Sequence, residues 1–174
     1  MEIAVVTGTS TGIGFATSLH LARHGYRVFA GMRNLGKAEP LRAAAAEASL
    51  PIEVLLLDVA SAASVARAFE TVAGHGPIDV LVNNAGIGGA TPLELQPEDE
   101  HRRMFETNYF GAIRCIQAVL PAMRQRRRGA IVNVTSIAGL LARRTRSPIR
   151  RPSGHSSARA RRSPTRCGVS ASGS

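Results

Sequence analysis

Short apolar runs rich in Val, Ile and Leu alternate with longer Ala-rich segments through the first 142 residues of this 174-residue chain. An apolar run of about 4–8 residues between turn residues is typical of a strand buried on both faces, and the longer segments fit helices. Strands that alternate with helices in this way pair in parallel, because each helix carries the chain back across the sheet. We therefore predict an α/β fold, a doubly wound parallel sheet with helices on both faces.

The predicted strands and helices alternate along the chain. Strands are expected at residues 3–7, 27–30, 52–57, 80–82 and 130–135. Helices are expected at residues 12–24, 37–48, 62–72 and 98–126, the last as one helix or two pieces. Because ligands of such sheets bind beyond the carboxyl ends of the strands, motifs at those ends are the first candidates for a site.

The net charge of +10 is concentrated at the end of the chain. Residues 1–142 carry 13 Lys+Arg and 12 Asp+Glu, whereas residues 143–174 carry nine Arg and no acid. This Arg- and Ser-rich stretch lacks hydrophobic periodicity, so we predict one domain at 1–142 and a disordered tail at 143–174. An arm that binds nucleic acid or an anionic membrane is the alternative interpretation, although no aromatic residues are interleaved with the arginines.

Neither a membrane span nor a secretory leader is expected. No apolar run approaches the ~20 residues that cross a bilayer, and Met1-Glu2-Ile3 lacks a basic region. Cys115 and Cys167 have neither metal-ligand spacing nor the density of a disulfide scaffold. We predict a cytoplasmic protein with no metal site.

A glycine-rich turn joins the first predicted strand to the first helix and reads Thr7-Gly8-Thr9-Ser10-Thr11-Gly12-Ile13-Gly14. Glycines allow a tight turn and a close approach of a pyrophosphate, and the following helix offers free N–H groups and the positive end of its dipole. The turn therefore predicts a phosphate cradle. Any tight strand-to-helix turn can also use glycines, so the other motifs decide between these interpretations.

Three further motifs follow in order: Asn83-Asn84-Ala85-Gly86 after the fourth strand, Thr107-Asn108-Tyr109-Phe110-Gly111 in a helix, and Ile131-Val132-Asn133-Val134-Thr135-Ser136 at the fifth strand. With the Gly-x-x-x-Gly-Ile-Gly spacing of the first turn, residues 1–142 resemble the short-chain dehydrogenase/reductase family, a Rossmann-like fold. The resemblance implies hydride transfer between a nicotinamide and a carbonyl or hydroxyl carbon of a small molecule. It also implies that Ser136 bonds the substrate oxygen and Asn108 holds a water of the proton relay. Intact members of the family are expected to form homo-oligomers, an expectation that does not extend to this chain.

The end of the second strand bears on the choice of cofactor. An acid there would bind the ribose hydroxyl of NAD, but the chain reads Gly31-Met32-Arg33-Asn34, and an Arg suits the 2′-phosphate of NADP. We predict NADP rather than NAD, with a solvated surface Arg as the alternative. Asp58 resembles the family's adenine-contacting aspartate or caps the next helix. The predicted cofactor-binding residues are Gly8, Thr9, Ser10, Gly12, Ile13, Gly14, Arg33, Asp58, Val59, Asn84, Ala85 and Gly86.

The family's catalytic tyrosine and the lysine four residues after it have no counterpart, because the only tyrosines are Tyr26 and Tyr109 and the only lysine is Lys37. The tyrosine is expected near Ile149, inside the Arg-rich stretch. Residues 148–157 can be encoded by a set of codons that also contains a second reading frame. When translation starts two bases later, these codons give Tyr-Ser-Ala-Ser-Lys-Trp-Ala-Phe-Glu, which contains the missing Tyr-x-x-x-Lys. We therefore interpret residues 143–174 as out-of-frame translation, in a chain whose sheet is incomplete after its fifth strand and which folds marginally.

Two functions remain open from the sequence. The first is an NADP-dependent oxidoreductase by family, inactive in this chain because Tyr-x-x-x-Lys is missing. The second is a non-enzymatic NADP-binding or regulatory protein. Binding of nucleic acid is not expected, and the substrate is not predicted.

Overall fold

The computed structural model describes residues 1–88 and 93–136. The strands are β1 (Glu2–Thr7), β2 (Tyr26–Met32), β3 (Ile52–Leu56), β4 (Ile78–Asn83) and β5 (Ala130–Asn133). The α-helices are α1 (Gly12–Arg23), α2 (Glu39–Glu47), α3 (Ala62–Ala73), α4 (Glu98–Phe105) and α5 (Gly111–Arg126). Short 3₁₀ turns occur at Leu35–Lys37 and Leu93–Leu95, and a π-helical turn occupies Glu106–Phe110. The predictions for the tail at 143–174 lie outside the described residues.

The five strands form one parallel sheet in the order β3-β2-β1-β4-β5. The order reverses direction at β1, where β2 lies on one side and β4 on the other. This is the switch point at which doubly wound sheets bind ligands, and it confirms the predicted fold class.

Alternate residues of β1 supply the two faces of the core. Ile3 and Val5 belong to a cluster with residues of α3 and α5, such as Val72 and Val119. Ala4 and Val6 belong to a cluster on the opposite face that includes a residue of α1. Since side chains alternate across a strand, an unbroken apolar run fits a sheet that is covered on both sides.

The long predicted helix is interrupted at its centre. Helix α4 leads into the π-helical turn at Glu106–Phe110, which leads directly into α5. A π-helical turn inserts an extra residue into the helical repeat and often marks a functional site. Here it carries Asn108.

Within residues 1–88 and 93–136, no helix combines the length and the apolar character that a bilayer crossing requires.

Candidate functional site

A cleft of about 320 Å³, the main cleft, opens at the carboxyl ends of the first four strands. Its walls come from the turn after β1, the end of β2, the segment after β3, the loop after β4 and the π-helical turn. The lining residues are Gly8, Ser10, Thr11, Ile13, Met32, Arg33, Leu57, Asp58, Val59, Asn84, Ala85, Gly86, Ile87 and Thr107. Nine of the predicted cofactor-binding residues are among them.

The glycine-rich turn packs closely on the loop after β4. Gly8 has φ +70°, and a Cβ there would lie 2.6 Å from the Cα of Ala85. Gly12 also has a positive φ, +65°, with open space where a Cβ would project. Both positions therefore require glycine for the backbone conformation, and Gly8 requires it for space as well.

Thr9, Gly12 and Gly14 do not line the main cleft. Thr9 is completely buried, and both its amide and its hydroxyl donate to the carbonyl oxygen of Gly31, at 3.1 and 3.2 Å. Thr9 thus anchors the turn to β2. Gly14 packs against the Gly8 carbonyl and the Asn84 side chain, which lets α1 begin close to the turn.

The start of α1 lies at the main cleft, where Thr11 and Ile13 form part of the lining. Its N-cap residue, Thr11, makes no side-chain capping hydrogen bond, and its first turn holds no acidic residue. By contrast, α3 is capped by the Ser61 side chain, which accepts a hydrogen bond from the Ser64 amide. Because the first N–H groups of a helix lack intrahelical partners, the uncapped start of α1 suits an anionic group.

Thr7 and Asn84 hold the turn and the loop after β4 together. The Thr7 hydroxyl oxygen accepts hydrogen bonds from the amides of Asn84 and Ala85, at 3.0 and 2.9 Å. The Asn84 side-chain amide donates to the carbonyl oxygens of Thr7 and Gly8, at 3.0 Å each. Thr7 is not among the predicted site residues, although its place as a polar residue at the end of an apolar strand, just before Gly8, was the available signal.

Arg33 and Asp58 lie on the wall of the main cleft that follows β2 and β3. The Arg33 side chain is exposed, and no acidic side chain of residues 1–88 or 93–136 forms an ion pair with it. An Asp58 carboxylate oxygen accepts a hydrogen bond from the Ala60 amide at 3.0 Å. The alternative role of Asp58 as the cap of the next helix is wrong, because Ser61 caps α3.

A second cleft, the side cleft, adjoins the main cleft and shares Asn84, Ala85, Gly86 and Ile87 with it. It brings together the two predicted catalytic residues, Asn108 and Ser136. Its remaining lining residues are Asn83, Tyr109, Ala112, Ile113, Ile116, Asn133, Val134 and Thr135.

Both polar groups of the Asn108 side chain bond the backbone of Ile87. The Ile87 amide donates to Asn108 Oδ1 and Asn108 Nδ2 donates to the Ile87 carbonyl oxygen, each at 2.8 Å. In this arrangement the side chain fixes the loop after β4 against the π-helical turn. Ile87 and Thr107 line the main cleft without being among the predicted site residues, because an isoleucine or a threonine beside a motif carries no distinct chemical signal.

The family model described as short chain dehydrogenase matches residues 2–148. The chain is 46% identical over 140 residues to retinol dehydrogenase 8 of Bos taurus, a match that covers 78% of this chain and 45% of that protein. The chain therefore spans a little under half the length of this relative.

Two solved structures of similar fold contain a nicotinamide cofactor. One is a gluconate 5-dehydrogenase from Burkholderia cenocepacia in complex with NADP and tartrate, with a TM-score of 0.74 and 33% identity over 82% of this chain and 56% of that one. The other is the F189W actinorhodin polyketide ketoreductase with NADPH, with a TM-score of 0.77 and 33% identity over 81% of this chain and 55% of that one.

Proposed function

This chain belongs to the short-chain dehydrogenase family, and from that membership we infer that it is the cofactor-binding part of an oxidoreductase. The reaction proposed is hydride transfer between a nicotinamide cofactor and a carbonyl or hydroxyl carbon of a small molecule. The observation that carries the proposal is the main cleft at the switch point of the sheet. It is lined by the uncapped start of α1 and by Arg33, which forms no ion pair within the part of the chain that the structure describes. An elongated dinucleotide with two separate anionic groups, a pyrophosphate and a 2′-phosphate, fits this distribution of donors.

The residues of the main cleft fit NADP by their donor chemistry. The uncapped amides at the start of α1 would bind the pyrophosphate, and Arg33 would bind the 2′-phosphate through its guanidinium fork. Asp58 keeps a carboxylate oxygen beyond the one that accepts from Ala60, for an adenine amino group. A reduced cofactor bound there would supply the hydride, and the residues that the two clefts share would bring its nicotinamide next to the side cleft.

The preference for NADP can be tested at Arg33. Replacing Arg33 with Ala removes the cation proposed for the 2′-phosphate, so the affinity for NADPH should fall about 10- to 100-fold while that for NADH changes little, as the loss of a charged hydrogen bond worth about 1.5–3 kcal/mol implies. Titration of cofactor fluorescence measures both affinities. Arg42→Ala is the control, because Arg42 is an exposed Arg on α2 outside the cleft. Equal losses for NADPH and NADH would contradict the preference.

The side cleft is the proposed substrate site. Ser136 would donate a hydrogen bond to the substrate oxygen, and Asn108 would hold the shared loop in place through Ile87. One wall-forming group of the side cleft is apolar and includes Ile113, Ile116 and Val134. Together with the similarity to a retinol dehydrogenase, this wall favours an apolar alcohol or carbonyl compound as the substrate class.

The chain with this sequence is proposed to bind NADP without turnover. No Tyr-x-x-x-Lys is present in its 174 residues, so the group that would exchange a proton with the substrate oxygen is missing. A binding or regulatory role is the second candidate, and the combination of a well-formed main cleft with that missing motif favours it.

A frameshift within residues 140–147 is proposed as the origin of the missing motif. Resequencing of this stretch tests it directly, and an intact reading frame would exclude it. A chain with the reading frame restored, which carries Tyr-Ser-Ala-Ser-Lys, should oxidise NADPH in the presence of retinaldehyde. The present chain should bind NADPH and leave it unoxidised. Turnover by the present chain would contradict the proposed inactivity.

Self-association is proposed through the outer side of α4 and the π-helical turn. Phe105 and Phe110 are 63% and 47% exposed there and line the same surface depression, so two large aromatic side chains face solvent together. Sedimentation of the Phe105→Ser, Phe110→Ser double variant should show a smaller species than the unmodified chain, and an unchanged mass would exclude this surface.

A further inference from the structure

Arg114 connects two walls of the main cleft that are distant in sequence. It lies in the first turn of α5, and one terminal guanidinium nitrogen, Nη1, donates to the carbonyl oxygen of Val59 at 3.3 Å. The other, Nη2, forms an ion pair with the carboxylate of Glu106. The Arg114 side chain is 27% exposed, so the ion pair is partly shielded from solvent. One side chain therefore spans the segment after β3 and the π-helical turn.

The Val59 end of this connection is packed without spare room. Val59 is 5% exposed and follows Asp58 on the cleft wall. A Cβ at Gly111, the first residue of α5, would lie 2.7 Å from Val59 Cγ2. The start of α5 thus presses directly on the segment that Arg114 holds, and a shift of one moves the other.

The Glu106 end leads to the junction of the two clefts. Glu106 is the first residue of the π-helical turn, which continues with Thr107 in the main cleft and Asn108 in the side cleft. Asn108 in turn holds the Ile87 backbone through two hydrogen bonds. A displacement of Glu106 would therefore reach the loop that both clefts share.

We propose that Arg114 is a positioning residue that sets the width of the main cleft, by fixing the Asp58–Val59 wall relative to the π-helical turn. The inference rests on the proposed function, since the cleft it adjusts is the proposed cofactor site. Arg114 itself does not line that cleft. It acts through Val59 and Glu106, and both contacts are needed because each one holds only one wall.

Two substitutions separate this role from simple electrostatic stabilisation. Arg114→Ala removes both contacts. Arg114→Lys retains the charge for Glu106 but lacks the planar fork that reaches Val59 at the same time. A positioning role predicts that both variants bind NADPH about 10-fold more weakly than the unmodified chain. A purely stabilising charge predicts that Arg114→Lys binds like the unmodified chain, and that result would overturn the proposal.

The matched control is Arg102→Ala, which breaks an exposed ion pair with Glu98 on α4 that touches neither the main cleft nor the side cleft. It should leave NADPH affinity within about twofold. A tenfold loss in this control would attribute the effect to the helical segment as a whole and would also overturn the role of Arg114.

A second readout does not depend on the cofactor. In the full chain without NADPH, amide hydrogen exchange at Ile87 should accelerate about fivefold or more in both Arg114 variants and stay unchanged in Arg102→Ala, because the Ile87 amide is held by Asn108. Unchanged exchange in the Arg114 variants overturns the inference. Failure of the unmodified chain to bind NADPH would refute the proposed function, while exchange at Ile87 would still decide the role of Arg114.

Discussion

At the scale of single residues, Gly14 leaves no room for a side chain between α1 and the first turn. A Cβ at Gly14 would lie 2.5 Å from the Gly8 carbonyl oxygen and would also meet the Asn84 side-chain amide. The Gly8 carbonyl belongs to the backbone and cannot rotate away. We expect Gly14→Ala to lower the free energy of unfolding by about 1–3 kcal/mol and to weaken NADPH binding, because α1 must move outward. Chemical denaturation and cofactor titration measure the two effects.

The control for Gly14 is Gly88→Ala. A Cβ at Gly88 would meet nothing within 4 Å, and the residue lines neither cleft. This substitution should change stability by less than about 0.5 kcal/mol. If both alanine variants lost the same stability, the tight packing at Gly14 would not be the cause.

Cys115 is a buried thiol in α5 whose environment suppresses ionisation. Its side chain is 0% exposed, and burial raises its pKa to about 12, against the opposing effect of the nearby Arg114. The thiolate is the reactive form, so in a Cys167→Ser background the folded chain should react with iodoacetamide at pH 8 far more slowly than the unfolded chain. Mass spectrometry of the alkylated protein checks this. Equal rates would mean that Cys115 is accessible in the folded state.

The same shift has a consequence for stability. A thiol whose pKa is higher in the folded state stays protonated there while the unfolded chain already ionises. Its contribution is therefore fully present below pH 9.0, the reference pKa of the unfolded thiol, and is lost as pH rises towards about 12. Cys115→Ala should remove this part of the alkaline loss of stability.

At the scale of secondary-structure elements, the end of β1 and the loop after β4 are joined by the Thr7 hydroxyl. Thr7 is 1% exposed, and its hydroxyl oxygen accepts from two backbone amides. Thr7→Val keeps the shape but leaves those amides without their acceptor, at a cost of about 1–3 kcal/mol for each one that stays unsatisfied. Thermal unfolding measures the loss. Thr71→Val is the control, because the exposed Thr71 hydroxyl only donates to the Arg67 carbonyl oxygen within α3. A Thr7→Val variant as stable as this control would show that the two hydrogen bonds accepted by the Thr7 hydroxyl do not contribute to the free energy of unfolding.

The elements themselves were largely predictable from local pattern, whereas their contacts were not. Apolar runs such as Ala4 to Val6 predicted buried strands correctly, because both faces of this sheet are covered. The π-helical turn was not expected, since the sequence of residues 98–126 is helical on either side of Glu106–Phe110. The contact between Arg114 and Val59 joins residues 55 apart in sequence, a separation that no local spacing encodes. Strand ends were also imprecise, as β5 ends at Asn133 rather than at residue 135.

At the scale of the whole molecule, the two edges of the sheet are protected differently. At one edge, β3 is preceded by Pro51, and its Glu53 pairs with Arg27 of β2 at 3.2 Å, so proline and charge both discourage further pairing. At the other edge, β5 pairs with β4 only among the described residues. Its sequence, Ala130–Asn133, carries no charge, and Val132 is 47% exposed. An uncharged edge strand with exposed apolar surface is a site for association between chains.

Val132→Lys should therefore reduce association of the full chain without weakening the fold. The lysine places a charge on the edge strand at a position that is already half exposed, so the cost in unfolding free energy should stay within about 1 kcal/mol while light scattering falls. Gln125→Lys is the matched control, because it adds the same charge at an exposed position of α5. If the edge drives association, scattering at equal protein concentration should fall for Val132→Lys and not for Gln125→Lys. An equal fall in scattering for both variants would assign the effect to net charge. No fall in either variant would place the associating surface elsewhere, and the aromatic residues of α4 and the π-helical turn would be the next surface to test.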